Sequence, residues 1–107
     1  MSAKQHIIEH LKELTGEQDS ELILSLYTEY RCSALEKLSL MKDALPKADF
    51  GALYSYSHAL KGMSEISGYQ EMREHAANFV AATKAEDIAT CKAEYEKMAE
   101  LSSALEE

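Results

Sequence analysis

The chain has 107 residues and a mass of 12.0 kDa, the size of one domain. Its 46% hydrophobic content, with only 4 Gly and 1 Pro, points to an all-α protein. The net charge of −8 leaves no basic stripe to displace counterions from phosphates, which argues against nucleic acid and anionic membrane as partners.

Five helical segments follow in chain order. Residues 3–14 carry Ile7, Leu11 and Leu14 at i, i+4, i+7, with Gly16 suited to the stop. Residues 20–45 begin after Asp19, a candidate N-cap, and carry the stripe Leu22, Leu26, Tyr30, Ala34, Leu38, Met41 and Leu45. Pro46 is expected to end this helix by pushing Leu45 out of the α region. Residues 49–67 run from Asp49 to a stop at Gly68. Residues 69–83 carry Met72, Ala76, Phe79 and Val80. Residues 87–105 carry Ile88, Cys91, Tyr95, Met98 and Leu105.

Short loops place neighbouring helices antiparallel. The expected architecture is therefore a four-helix up-down bundle with an additional short N-terminal helix across an end or side. No repeat, low-complexity tract or linker divides residues 1–107, so one domain is expected. The first fourteen residues, with Lys4, His6, Glu9 and His10, are too polar for a signal peptide. There is also no run of about 18 apolar residues, and the expectation is a cytoplasmic chain. Cys32 and Cys91 lack CxxC spacing and fall on apolar stripes, where buried free thiols are expected.

The third helix carries the chemistry. At about 100° per residue, Leu53, Tyr56, Leu60, Met63 and Ser67 share one face, and Tyr54, His58, Lys61, Gly62 and Glu65 share the other. The leucines mark the core face, so His58 should look outward. Gly62 sits mid-helix, where Gly costs about 1 kcal/mol relative to Ala. Its presence makes sense if something must approach the helix closely there. Lys61, at i+3 from His58, reaches the same space. The three residues supply a reactive nitrogen, a cation for an anion bound to it, and a clearance.

The run His58-Ala59-Leu60-Lys61-Gly62-Met63-Ser64-Glu65-Ile66-Ser67-Gly68 resembles the signature of histidine-containing phosphotransfer (HPt) domains. In that family His-x-x-Lys-Gly is followed by small residues and a second Gly at the helix end. His58, Lys61, Gly62, Ser64 and Gly68 fit, and the helix order and lengths fit as well. The resemblance implies a phosphorelay protein that passes a phosphoryl group between receiver-domain aspartates. His58 would be the phosphoacceptor, through Nε2. Lys61 would neutralise phosphoryl oxygens, and Gly62 would make room for the receiver. Tyr54, Ser64, Glu65 and Ile66 would face the partner.

The implied partners are a hybrid sensor histidine kinase and the receiver domains of response regulators, met by a monomer. The chain itself would hold no cofactor, because the receiver brings the aspartate and the Mg²⁺. A neutral imidazole nitrogen attacks phosphorus without a strong base, and no Gly-rich ATP loop is present, so no turnover of its own is expected. The departures are Met63 and Glu65, where small residues are usual, and Ile66 and Ser67, where the apolar position is displaced by one.

Other readings compete. His6 and His10, at i, i+4, suggest a metal pair but lack further ligands. Two Glu-x-x-His motifs for a di-iron bundle are absent. His75 is expected to pair with Glu71. A helical adaptor that keeps the shape and acts by binding alone is the main alternative to a phosphocarrier.

Overall fold

Each of four helices starts where a short polar side chain takes over free backbone N–H groups. The computed structural model describes residues 1–107 and holds α1 (Ala3–Thr15), α2 (Ser20–Ala44), α3 (Phe50–Ser67), α4 (Gln70–Lys84) and α5 (Ile88–Ser103), with a 3-10 turn at Leu45–Lys47. Ser2 and Gln5 form a reciprocal capping box at α1. Asp19 accepts from Glu21 N at 2.9 Å, Asp49 from Ala52 N at 3.2 Å, and Asp87 from Thr90 N at 3.1 Å. Gly16 and Gly68 end α1 and α3 in the left-handed region, at φ 69° and 79°.

Pro46 ends α2 by a route other than the expected one. Leu45 stays helical, at φ −57° and ψ −49°, and its N–H still reaches Met41 O. The helix tightens because Pro46 has no N–H for the next rung. Ala48, at φ 48°, then reverses the chain.

Helices α2 to α5 form a ring of neighbours: α3 packs on α2 and α4, α4 on α5, and α5 on α2. The result is the four-helix bundle expected from the sequence. Helix α1 lies mainly along α2 and touches α3. The particle measures 44 × 21 × 20 Å, and α2, with 25 residues, is its longest helix. One cluster of 20 buried residues runs through it and includes Ile7 and Leu11 of α1, so the extra helix shares the core. No helix is long and apolar enough to cross a membrane.

Several expectations are corrected. On α2 the buried series is Ile23, Tyr27, Tyr30, Ala34, Leu38, Met41 and Ala44; Leu22 is exposed and Leu26 only half-buried. The first two positions of the stripe shift by one. Tyr27 can occupy the interior because its hydroxyl donates to Glu106 O at 2.5 Å. Leu14 is exposed as well. Cys91 is buried, and burial pushes its thiol up, but Cys32 faces solvent. His75 Nδ1 lies 2.7 Å from Glu94 Oε2 of α5, not Glu71, because the neighbouring helix presents the better-enclosed carboxylate. No group of three His, Cys, Asp or Glu side chains gathers to hold a metal.

Burial pushes the Tyr69 phenol up to about 12 and raises Tyr30 and Tyr27 as well. Unfolded tyrosines ionise near 10, whereas these native ones keep their protons. Their contribution is complete below pH 10 and is lost as pH climbs toward 12. Urea midpoints measured from pH 9 to 12 should fall across that window. The decline should be shallower in the Tyr30→Phe, Tyr69→Phe double variant.

Candidate functional site

The seam that α3 turns inward is Leu53, Ser57, Leu60, Ser64 and Ser67, spaced 4-3-4-3. Three of these positions match the expected face. At the other two, serines replace Tyr56 and Met63, which sit half-buried on the flank. Small side chains suit positions where helices approach closely, and both serines are satisfied. Ser57 Oγ donates to Tyr54 O at 3.2 Å, and Ser64 Oγ shares a 2.7 Å hydrogen bond with the Tyr30 hydroxyl. Ser64 is 0% exposed, which corrects its expected place on the partner-facing surface.

With that seam inside, His58 emerges on the solvent side, halfway along α3. Of the four histidines only His75 has a ring nitrogen hydrogen-bonded within the chain. The nitrogens of His58 are therefore free. Tyr54, one turn earlier, stacks on the imidazole with ring centroids 5.5 Å apart and planes 27° off parallel. That contact restricts the ring without engaging its lone pairs.

Lys61 and Gly62 are half-exposed beside it. A Cβ built on Gly62 meets nothing within 4 Å, so the fold places no steric demand for glycine there. Gly68 is the opposite case. Besides its positive φ, a Cβ there would come within 2.7 and 2.8 Å of the His10 ring atoms Cδ2 and Nδ1.

Glu65 and Ile66 are exposed further along α3, Ile66 at 64%. Glu65 Oε1 lies 3.7 Å from Arg73 Nε of α4. Its nearest cation in sequence, Lys61, forms no ion pair. An exposed pair of this kind contributes at most about 1 kcal/mol, but it draws the carboxylate toward α4. Ile66 and Met63 border an apolar groove of about 210 Å³ with Leu11 and Leu26.

Sequence reasoning missed Arg73 and Lys84. Lys84, at the end of α4, holds its Nζ 5.7 Å over the Tyr54 ring. Neither carries a local signal, because their place depends on the register of α4 against α3.

The arrangement is an exposed, unengaged imidazole on a rigid helix, with a cation at i+3 and uncovered backbone beyond it. The family model for the Hpt domain matches residues 25–107, well over half of the chain. The chain belongs to the Hpt domain family. Hpt domains are phosphocarriers of phosphorelays that engage receiver and kinase domains. The Hpt match begins within α2, so α1 lies outside it even though Ile7 and Leu11 complete the core. Neither a curated protein nor a solved structure matches the chain.

Proposed function

We propose that residues 1–107 act as one monomeric Hpt module, which carries a phosphoryl group between receiver-domain aspartates on His58. The observation that supports this reading best is the free imidazole flanked by Lys61 and Gly62. Phosphoryl transfer depends mainly on alignment and charge neutralisation. The Nε2 lone pair forms the new bond to phosphorus while the aspartyl P–O bond breaks and its electron pair returns to the carboxylate. The imidazole keeps its Nδ1 proton. Lys61 neutralises phosphoryl oxygens, and the receiver contributes the aspartate and Mg²⁺. The chain has no cofactor and no turnover of its own, and it works in the cytoplasm between a hybrid sensor kinase and a response regulator. Tyr54, Glu65 and Ile66 meet the receiver.

Incubation with a panel of phosphorylated receiver domains should transfer an acid-labile, alkali-stable label to the protein. Absence of label from every receiver of the source organism would overturn the proposal. The exposed carboxylate of Glu65 on the same side favours one competitor, an adaptor that binds without phosphorylation. In that case His58→Ala would leave both partner binding and signalling intact.

Gly62 separates its own fold from its partner's needs. Gly62→Ala should raise stability by about 1 kcal/mol in urea unfolding, because helix propensity improves and nothing obstructs the methyl group. The same variant should accept phosphoryl groups from a receiver more slowly, since the methyl group stands where the receiver closes. A stabilised variant with unchanged transfer would remove the clearance role.

A further inference from the structure

The Lys84–Tyr54–His58 row is not part of the His-x-x-Lys-Gly run, and it places a second cation on the tyrosine that stacks on the imidazole. We propose that Lys84 is a second phosphoryl-binding cation of the His58 site, resting on Tyr54 while His58 is free; this extends the phosphocarrier reading above and depends on it.

Three observations carry it. Tyr54 stacks on the imidazole at 5.5 Å, and Lys84 Nζ lies 5.7 Å over that same tyrosine ring, so the ammonium group is one aromatic ring away from His58. Lys84 is exposed and pairs with no carboxylate, although the chain has 19 acidic residues against 11 basic ones. It also comes from α4, so with Lys61 of α3 it flanks the site from a second helix.

A cation over an exposed aromatic face is held weakly. A phosphoryl group carries close to two negative charges and three acceptor oxygens, and it is the stronger attractant for an ammonium on a flexible four-carbon stem. Phosphorylation of His58 Nε2 should therefore draw Nζ off the ring and onto the phosphoryl oxygens. The competing explanation is that Lys84 only complements the C-terminal dipole of α4. That role would affect stability and nothing at His58.

The test uses potassium phosphoramidate, a donor too small to depend on docking. The Nε2–P bond forms as the donor's P–N bond breaks and ammonia leaves, with the imidazole proton staying on Nδ1. Wild type should be labelled, and Lys84→Gln should be labelled about fivefold more slowly, the size of one exposed charge contact, with an unchanged melting temperature. By NMR, the Lys84 ε-methylene protons should lose their ring-current shift when the wild type is phosphorylated, and should not respond to the donor in His58→Gln. Tyr54→Leu should abolish that shift in the unphosphorylated protein, which assigns it.

Equal labelling of wild type and Lys84→Gln, or Lys84 resonances unmoved by phosphorylation, would overturn the role of Lys84 and leave the phosphocarrier reading standing. If only receivers label the wild type, the same comparison is made with them. A wild type labelled by neither donor overturns both.

Discussion

His58→Gln should abolish phosphoryl labelling and leave the melting temperature unchanged. The glutamine amide nitrogen has its lone pair delocalised into the carbonyl and is not a nucleophile, so the loss should be complete rather than graded. The side chain is exposed, makes no hydrogen bond within the chain and contributes only its stack on Tyr54. Substitutions of that kind stay within about 0.5 kcal/mol. Labelling by a phosphorylated receiver, together with calorimetry on the same sample, separates the two effects. Full labelling of the variant would place the acceptor on another residue. Loss of label accompanied by unfolding would mean that the imidazole supports the bundle.

The second large effect is structural. Gly68→Ala should lower stability by about 2–5 kcal/mol, the sum of a left-handed backbone conformation, about 1–2 kcal/mol, and overpacking, about 1–3 kcal/mol. The backbone there has φ 79°, and the added methyl would press into the His10 ring of α1. The two contributions can be separated. In a His10→Ala background the ring is gone, and Gly68→Ala should then cost only the backbone part. Urea unfolding of the four chains of this cycle gives the difference directly. If the cost of Gly68→Ala is the same in both backgrounds, the ring is not in contact with the turn.

These two glycines belong to one sequence motif and answer to different demands. Gly68 is required by this chain's own packing: it terminates α3 and lets α1 lie close. Gly62 has open space at its missing methyl and bears a propensity penalty that nothing in the fold compensates. A residue that the fold could replace with advantage is where a partner's requirement is to be sought. The distinction cannot be made from spacing, since both are simply glycines on or after a helix.

Much of the architecture was legible along the chain. Asp19, Asp49 and Asp87 start helices, Gly16 and Gly68 stop them, and the leucines of α3 already turn His58 toward water. These features are local: a cap, a left-handed stop and an i, i+4 repeat are decided within one or two turns. The outward imidazole followed from that periodicity alone.

What local spacing could not decide was the choice between adjacent candidates and the pairing of distant ones. Leu22 and Ile23, or Leu26 and Tyr27, are apolar neighbours about 100° apart, and the assembled core takes the second of each pair inside, Tyr27 with its hydroxyl bonded to Glu106 O. Serines took the inner seam of α3 over Tyr56 and Met63, with Ser64 bonded to the Tyr30 hydroxyl of α2, and that moved Ser64 out of reach of any partner. Arg73 on Glu65, Glu94 on His75 and Lys84 on Tyr54 all depend on how far one helix slides along the next. Sequence thus determined the helices and the direction of the His58 side chain. Tertiary packing decided which charges surround it, because register between helices is set by the whole core and by no single stretch of chain.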